Sequence, residues 1–254
     1  MKNKYLENLE KLEFVVTYAC SGRCKHCFEG DHTDFGERID PIIAADAVRR
    51  ISVDYEIRTV LVFGGEPLLY TDATYAIIAA ARDMNIPKRQ IITNGYFTKS
   101  KEKMRSVAEE LYKCGVNDLL LSVDAFHEEC IPIEVVKSFA SEAVSCGIPV
   151  RLQPAWLVSR TDCNPYNKRT REIIDTFSDM SIPEGEGNVV YPEGNAVRYL
   201  AKYFADNSPK NPYTEDPCRV KCLSFEPNGN VLEGNIYDGN VMEIIENYVP
   251  KCVG

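Results

Sequence analysis

The segment "CSGRCKHC" places three cysteines, Cys20, Cys24 and Cys27, within eight residues. Thiolates at such spacing are ligands for zinc or for iron–sulfur clusters. A structural zinc site needs a fourth ligand, which His26 or His32 could supply. A four-iron cluster on three thiolates keeps one iron open for another molecule. Structural packing is the third alternative, but the loop is polar and contains glycine, so we favour the cluster.

Three further predicted strands end in residues that suit ligand binding. The second strand ends in "GGEP", the third in "TNG", and the fourth carries "SVD". Paired glycines let a ligand approach the backbone, and a glutamate beside them can accept hydrogen bonds from a cationic amine. The candidate residues are Gly64, Gly65, Glu66, Pro67, Asn94, Ser122 and Asp124.

The elements that position these residues alternate between strands and helices. Short β-rich runs occur at 13–17, 58–63, 89–93, 117–123, 148–157 and 187–191, and helical periodicity lies between them. About 30 residues per unit predicts parallel strands with right-handed crossovers. We therefore predict an α/β fold, a partial (β/α)6 TIM-like barrel over residues 1–207. The candidate residues then meet at the carboxyl ends of the strands.

Residues 208–254 break this pattern and predict a small C-terminal hairpin and helix extension. "ADNSPKNPYTEDPC" is typical of a linker, and Asn228-Gly229 between strand-like flanks predicts a hairpin. Cys218, Cys222 and Cys252 lie in this extension.

Composition excludes several classes of function. The net charge is −9 and there is no long basic block, so we expect no nucleic-acid partner. No apolar run approaches the ~20 residues that span a bilayer, and the first residues lack a signal-peptide core. Ten cysteines without a secretion signal argue against a disulfide framework. We expect a cytoplasmic protein without a membrane partner.

The motifs "CSGRCKHC", "GGEP", "TNG" and "SVD", in this order over about residues 13–206, resemble the radical S-adenosylmethionine (SAM) superfamily. The resemblance implies that Cys20, Cys24 and Cys27 hold a 4Fe–4S cluster whose open iron binds SAM. One electron from the cluster then cleaves SAM, and a 5′-deoxyadenosyl radical abstracts hydrogen from the substrate. It also implies an electron donor such as flavodoxin or ferredoxin.

The resemblance carries further roles over to this sequence. It implies that Glu66, with the Gly64–Gly65 backbone and Pro67, holds the SAM amine. His26 stands where the family usually has an aromatic residue beside the adenine. Members that modify peptides often have an arginine soon after strand 4, which is missing here, and Arg151 or Gln153 is the expected substitute. The groups expected near the ribose and carboxylate are Asn94, Ser122 and Asp124.

The cysteines of the extension resemble the start of the auxiliary-cluster domains called SPASM or Twitch. Such domains place further cysteines after the hairpin, where this chain has Glu233-Gly234-Asn235. A second iron–sulfur cluster near Cys218, Cys222 and Cys252, a hydrogen-donating thiol, and a structural remnant remain alternatives. His127 is a candidate catalytic residue or a local structural one.

Several functions are compatible with these features. The extension favours a ribosomally made peptide as substrate, modified by crosslinking, epimerisation or a similar reaction. The alternatives are a glycyl-radical activating enzyme and a radical SAM enzyme that acts on a small molecule. The alternative outside enzymes is a zinc or iron–sulfur protein that binds a partner.

Overall fold

A computed structural model describes residues 2–31, 36–204 and 208–251. His32 and Cys252, both considered as ligands above, lie outside these ranges. The strands are β1 Lys11–Val15, β2 Thr59–Phe63, β3 Lys88–Thr93, β4 Asp118–Leu121, β5 Val150–Leu152, β6 Ala155–Trp156, β7 Asn188–Val189, β8 Cys222–Phe225, β9 Asn230–Val231 and β10 Gly234–Asn235.

The helices follow the predicted alternation with the strands. They are α1 Pro41–Asp54, α2 Thr71–Asp83, α3 Lys101–Cys114, α4 Ala125–Glu128, α5 Ile133–Ser145, α6 Pro165–Asp175, α7 Asn195–Tyr199 and α8 Val241–Asn247. Short 3-10 helices cover Pro67–Leu69, Ser178–Met180 and Ala201–Tyr203. Within the described ranges, no helix has both the length and the apolar character needed to cross a membrane.

Six parallel strands form the central sheet, in the order β5-β4-β3-β2-β1-β8. The helices cover one face of it, where Leu12 and Phe14 of β1 are fully buried in the main core. Because side chains alternate along a strand, Lys11 and Glu13 face the other, inner side. The predicted α/β architecture with a parallel sheet, as in partial TIM-like barrels, is confirmed.

The sixth strand of this sheet is not the predicted one. The run at 148–157 divides into β5 and β6 at Gln153–Pro154, where proline has no N–H for a ladder. β6 pairs with β7 in a separate parallel two-stranded sheet. The sixth place beside β1 is taken by β8, which comes from the C-terminal extension.

The extension packs on the main core through β8. Phe225 of β8 stacks on Phe14 of β1 with ring centroids 4.5 Å apart. The Asn228-Gly229 turn forms, and the Gly229 N–H donates to the Glu226 carbonyl at 2.9 Å. The antiparallel pairing was predicted for the strands on either side of this turn. It forms instead between the next two strands along the chain, β9 and β10. The buried side chains of β8 therefore pack the extension against the barrel.

Candidate active site

One cavity collects most of the predicted site residues. It lies where β1 to β5 end, as expected for parallel strands whose carboxyl ends share one edge. The predicted residues that line it are Cys20, Cys24, Cys27, His26, Gly64, Gly65, Asn94, Ser122, Asp124, His127 and Gln153. The four sequence motifs, which span about a hundred residues of chain, thus contribute to a single site.

The cysteine loop is held by its own backbone and by β3. The Thr17 hydroxyl accepts from the Ala19 N–H at 3.0 Å, which fixes the start of the loop. The Cys20 sulfur accepts from the Gly22 N–H at 3.3 Å and from the Asn94 amide at 3.5 Å. Burial raises the pKa of Cys20 to about 12 and that of Cys27 to about 11. These thiols therefore need a strong positive centre, such as bound iron, to become thiolates at neutral pH.

The two glycines of "GGEP" bring β2 against this loop. A Cβ atom on Gly65 would lie 2.1 Å from the Ala19 carbonyl oxygen, and Gly64 has φ +137°. The Gly65 N–H donates to the Thr17 carbonyl at 2.7 Å, and the Glu66 N–H donates to the Ala19 carbonyl at 2.8 Å. The close approach that the glycines permit is first of all an approach of the protein's own cysteine loop.

Glu66 is fully buried behind the cavity wall. Its carboxylate accepts hydrogen bonds from the Leu68 N–H at 3.0 Å, the Thr93 hydroxyl at 2.7 Å and the Asn94 N–H at 2.8 Å. Burial raises its pKa to about 7. Pro67, beside it, begins a 3-10 helix and is also buried. Neither Glu66 nor Pro67 lines the cavity, so contact of Glu66 with the SAM amine stays a prediction.

Asp124 holds together the side of the cavity formed by the end of β4, by α4 and by β6, which is called the second wall below. Its buried carboxylate accepts from the Phe126 and His127 N–H groups, which caps α4, and from the Ala155 N–H at 3.0 Å on β6. It also lies 2.8 Å from Nδ1 of His127. Each charge favours the other, so His127 lowers the pKa of Asp124, and Asp124 raises that of His127 against the opposing effect of burial. The pair fixes the orientation of the His127 ring.

His26 is sandwiched between this wall and the cysteines. Its ring lies 4.9 Å from the rings of both Phe126 and His127. Nδ1 of His26 is buried and has no hydrogen-bond partner among the described residues. Burial lowers its pKa to about 4, so the ring is neutral at physiological pH. Ligand atoms of Cys24, His26 and His127 lie within 4.8 Å of one another.

Cys130 is a site residue for which the sequence indicated no clear role. Its sulfur lies 3.6 Å from that of Cys24 and accepts from the Arg23 N–H at 3.3 Å. While Cys24 is a protonated thiol that donates to Cys130, this contact lowers the pKa of Cys130 below its usual value. In the sequence, its position close to His127 was the signal that could have marked Cys130 as a site residue.

Residues of the cysteine loop, the last barrel unit and the extension complete the cavity. Phe28, Asn188, Val190, Tyr191 and Tyr213 line it, and their types alone did not mark them as functional. The turn at 192–196 binds the cysteine loop, since Asn195 donates to the carbonyls of Cys27 at 2.8 Å and Cys24 at 3.2 Å.

Three predicted site residues lie elsewhere. Arg151 binds the Asp118 carboxylate with two hydrogen bonds of 2.8 and 2.9 Å and does not line the cavity. Cys222 pairs in register with Lys11, at the amino end of β1, whereas the cavity lies beyond its carboxyl end. Cys218 lies before β8 in the same region. Their proposed catalytic roles require a path between opposite ends of the barrel.

At Gly234, in the segment where the SPASM-like resemblance implies a cysteine, there is little room for a larger side chain. A Cβ atom on Gly234 would lie 2.8 Å from the Ile244 side chain. An auxiliary cluster at Cys218 and Cys222 would therefore take its other ligands from elsewhere, and it stays a prediction.

The residues present fit a 4Fe–4S cluster with SAM beside it. Three thiols face one cavity, and a fourth protein thiolate is not needed when a small molecule completes the set. Besides His26 Nδ1, the buried Oε1 of Gln153 has no partner among the described residues. Such orphaned polar atoms in a cavity wall indicate that a polar ligand belongs there.

Comparison with known proteins supports the same assignment. A family model described as "Radical SAM superfamily" matches residues 14–144, more than half of the chain. A protein of Sulfolobus acidocaldarius named "Probable GTP 3′,8-cyclase" is 35% identical over 260 residues, covering 98% of this chain and 76% of that protein. The GTP 3′,8-cyclase of Clostridium perfringens is 29% identical over 132 residues, which is 51% of this chain and 39% of that enzyme.

Solved structures show the same fold at low identity. "Native anSMEcpe with bound AdoMet" has a TM-score of 0.59 at 14% identity and covers 93% of this chain and 80% of its own. Streptococcus suis SuiB bound to S-adenosylmethionine has a TM-score of 0.55 at 14% identity. The match covers 93% of this chain and 65% of the SuiB chain.

Proposed function

This chain belongs to the radical SAM superfamily, and we propose that it abstracts a hydrogen atom from a small molecule. As an enzyme of this superfamily, it uses a 4Fe–4S cluster and SAM. When bound, the cluster and SAM supply the 5′-deoxyadenosyl radical that removes the hydrogen atom. The convergence of Cys20, Cys24 and Cys27 on one glycine-walled cavity is the observation that carries the proposal.

The protein's own residues prepare the cavity for these groups. Cys20, Cys24 and Cys27 would hold the cluster; Cys20 and Cys24 are buried, and Cys27 is half-buried. Asn94 lies beside Cys20 and donates to its sulfur. The Asp124–His127 pair and the neutral His26 form a wall directly beside the cysteines. This preorganisation positions the bound molecules before any reaction occurs.

A small-molecule substrate is better supported than a peptide. The curated relatives are named as GTP 3′,8-cyclases, so they act on a nucleotide. The peptide substrate was predicted from the cysteines of the extension, which the structure places at the other end of the barrel. We therefore propose a substrate of nucleoside type, in line with the alternative of a small-molecule radical SAM enzyme.

The test uses protein purified and reconstituted without oxygen. Wild type and C114A, whose cysteine lies at the end of α3, should both bind about four irons per chain and cleave SAM with dithionite. C24A should lose both properties. An iron-loaded wild type that forms no 5′-deoxyadenosine would refute the proposal, as would a C24A variant with full iron content and activity.

A further inference from the structure

A pair of thiols beside the cavity is not used by the proposed chemistry. The sulfurs of Cys24 and Cys130 are 3.6 Å apart, although the two residues are 106 positions apart in the chain. Cys24 lines the cavity, whereas Cys130 does not. Cys130 therefore contacts an expected cluster ligand from outside the cavity lining.

The position of Cys130 is fixed by the cysteine loop and by the turn after α4. The N–H of Arg23, the residue before Cys24, donates to the Cys130 sulfur at 3.3 Å. The Cys130 N–H donates to the His127 carbonyl at 3.1 Å, and its sulfur lies 3.5 Å from the same oxygen. Because these contacts hold the two thiols side by side in the folded chain, a reaction between them needs no further ordering.

The spacing of the two sulfurs is close to what a disulfide requires. A disulfide joins its sulfurs at about 2.05 Å, so the pair must approach by about 1.5 Å. Rotation of cysteine side chains moves their sulfurs over distances of this size. A Cβ atom on Gly22 would lie 3.3 Å from the Cys24 sulfur and 3.6 Å from the Cys130 sulfur. The glycine therefore leaves space for this rotation, which a larger residue would restrict.

The two thiols differ in their access to solvent. Cys24 is buried, whereas Cys130 is half-buried. Arg23, which binds the Cys130 sulfur through its N–H, is exposed. A small oxidant in solution therefore reaches Cys130 first and Cys24 only through it.

We propose that Cys24 and Cys130 form a reversible disulfide in the cluster-free protein and that this bond blocks insertion of the cluster. The oxidant is a low-molecular-weight disulfide such as oxidised glutathione. Cys130 loses its proton, attacks one sulfur of the oxidant and releases one small thiol, which takes up a proton. Cys24 then loses its proton, attacks the Cys130 sulfur of the mixed disulfide and releases the second small thiol. Two protein thiols are oxidised, and one small disulfide is reduced to two thiols.

The disulfide and the cluster exclude each other. Iron is bound by a cysteine thiolate, and a sulfur within a disulfide cannot supply one. When Cys24 is bound to iron, Cys130 lacks its partner thiol and the disulfide does not form. The inference goes beyond the proposed function, because it concerns when the chain can take up its cluster and does not depend on the substrate.

The test locates the bond in the full chain by mass spectrometry. Cluster-free protein is treated with oxidised glutathione, alkylated and cut with trypsin. Trypsin isolates Cys24 in the peptide 24–25 and Cys130 in the peptide 114–137, which also contains Cys114. We expect these two peptides to be linked in the wild type and in C114A, but not in C130S. A treated wild type without the link, or a link that persists in C130S, would overturn the proposal.

Iron uptake provides a second measurement. Each protein is reconstituted with iron and sulfide, with and without the glutathione treatment and in the absence of other thiols. The treatment should lower iron uptake by wild type and C114A at least about fivefold, and dithiothreitol should restore it, because reduction returns the Cys24 ligand. The loss should be smaller in C130S. An equal loss in C130S and wild type would contradict the claim that this bond blocks the cluster.

The cluster-loaded wild type is the matched control for mutual exclusion. Treated with oxidised glutathione in the same way without oxygen, it should show no link between the two peptides. The same yield of link as in the cluster-free protein would contradict the proposal. SAM cleavage by untreated, loaded protein is measured in parallel, so failure of the proposed function is detected separately.

Discussion

The D124N substitution tests whether one buried carboxylate holds the second wall of the active site. Asp124 accepts four hydrogen bonds, from three backbone N–H groups and from the His127 ring. An asparagine has the same shape but replaces one acceptor oxygen by an NH2 donor. If its oxygen keeps the cap of α4, the NH2 group faces the Ala155 N–H, which then loses its only described partner.

The magnitude follows from these contacts. A buried N–H without a partner costs about 1–3 kcal/mol, and hydrogen bonds to a charged acceptor are stronger by about 1 kcal/mol than neutral ones. The loss of the unfavourable buried charge offsets part of this. We expect D124N to lower the free energy of unfolding by about 2–4 kcal/mol.

Urea unfolding of the purified chain at pH 7 measures this difference. The control is D46N, which removes an exposed partner of Arg50 on α1 and should cost less than about 0.5 kcal/mol. The pKa of Asp124 is held below its usual value, so its contribution is lost as the pH falls below about 4. The difference between wild type and D124N should shrink there. A D124N protein as stable as D46N at pH 7 would refute the assigned role of the carboxylate.

Three further predictions concern the same site. Burial raises the pKa of Glu66 to about 7, so its stabilising contribution is present at low pH and is lost as the pH rises through 7. The free energy of unfolding should fall by up to about 3 kcal/mol between pH 5 and pH 8, and E66Q should show a smaller fall; an equal fall would contradict the assignment to Glu66. C130A should make the cluster's reduction potential more negative in an EPR titration, because the Cys130 thiol near Cys24 can donate to a cluster thiolate. C130S keeps a donor and should stay near wild type, while an unchanged potential in C130A would exclude this contact. G65A should lower both stability and iron content, because its Cβ would lie 2.1 Å from the Ala19 oxygen; G239A, where no atom lies within 4 Å, is the control and should retain both.

Local signals in the sequence were sufficient to predict the α/β barrel and about half of the residues that line the cavity. Strand–helix alternation gave five strands of the central sheet, because each carries a short apolar run that a helix must cover. The spacing of Cys20, Cys24 and Cys27 indicated the cluster, since ligands within one loop converge without help from the rest of the chain. The glycines of "GGEP" likewise mark a close approach that no other residue allows.

Only the tertiary structure decided which distant residues share the cavity and with what charge. Arg151 and Gln153 are two residues apart, yet Asp118 binds the first while the second faces the cavity. Cys130 and Cys24 are far apart in the chain, and their sulfurs meet because α4 packs beside the cysteine loop. β8 was assigned to a separate extension but completes the sheet beside β1. Periodicity shows which face of an element is buried, but the partner across that face is chosen by packing between segments distant in sequence.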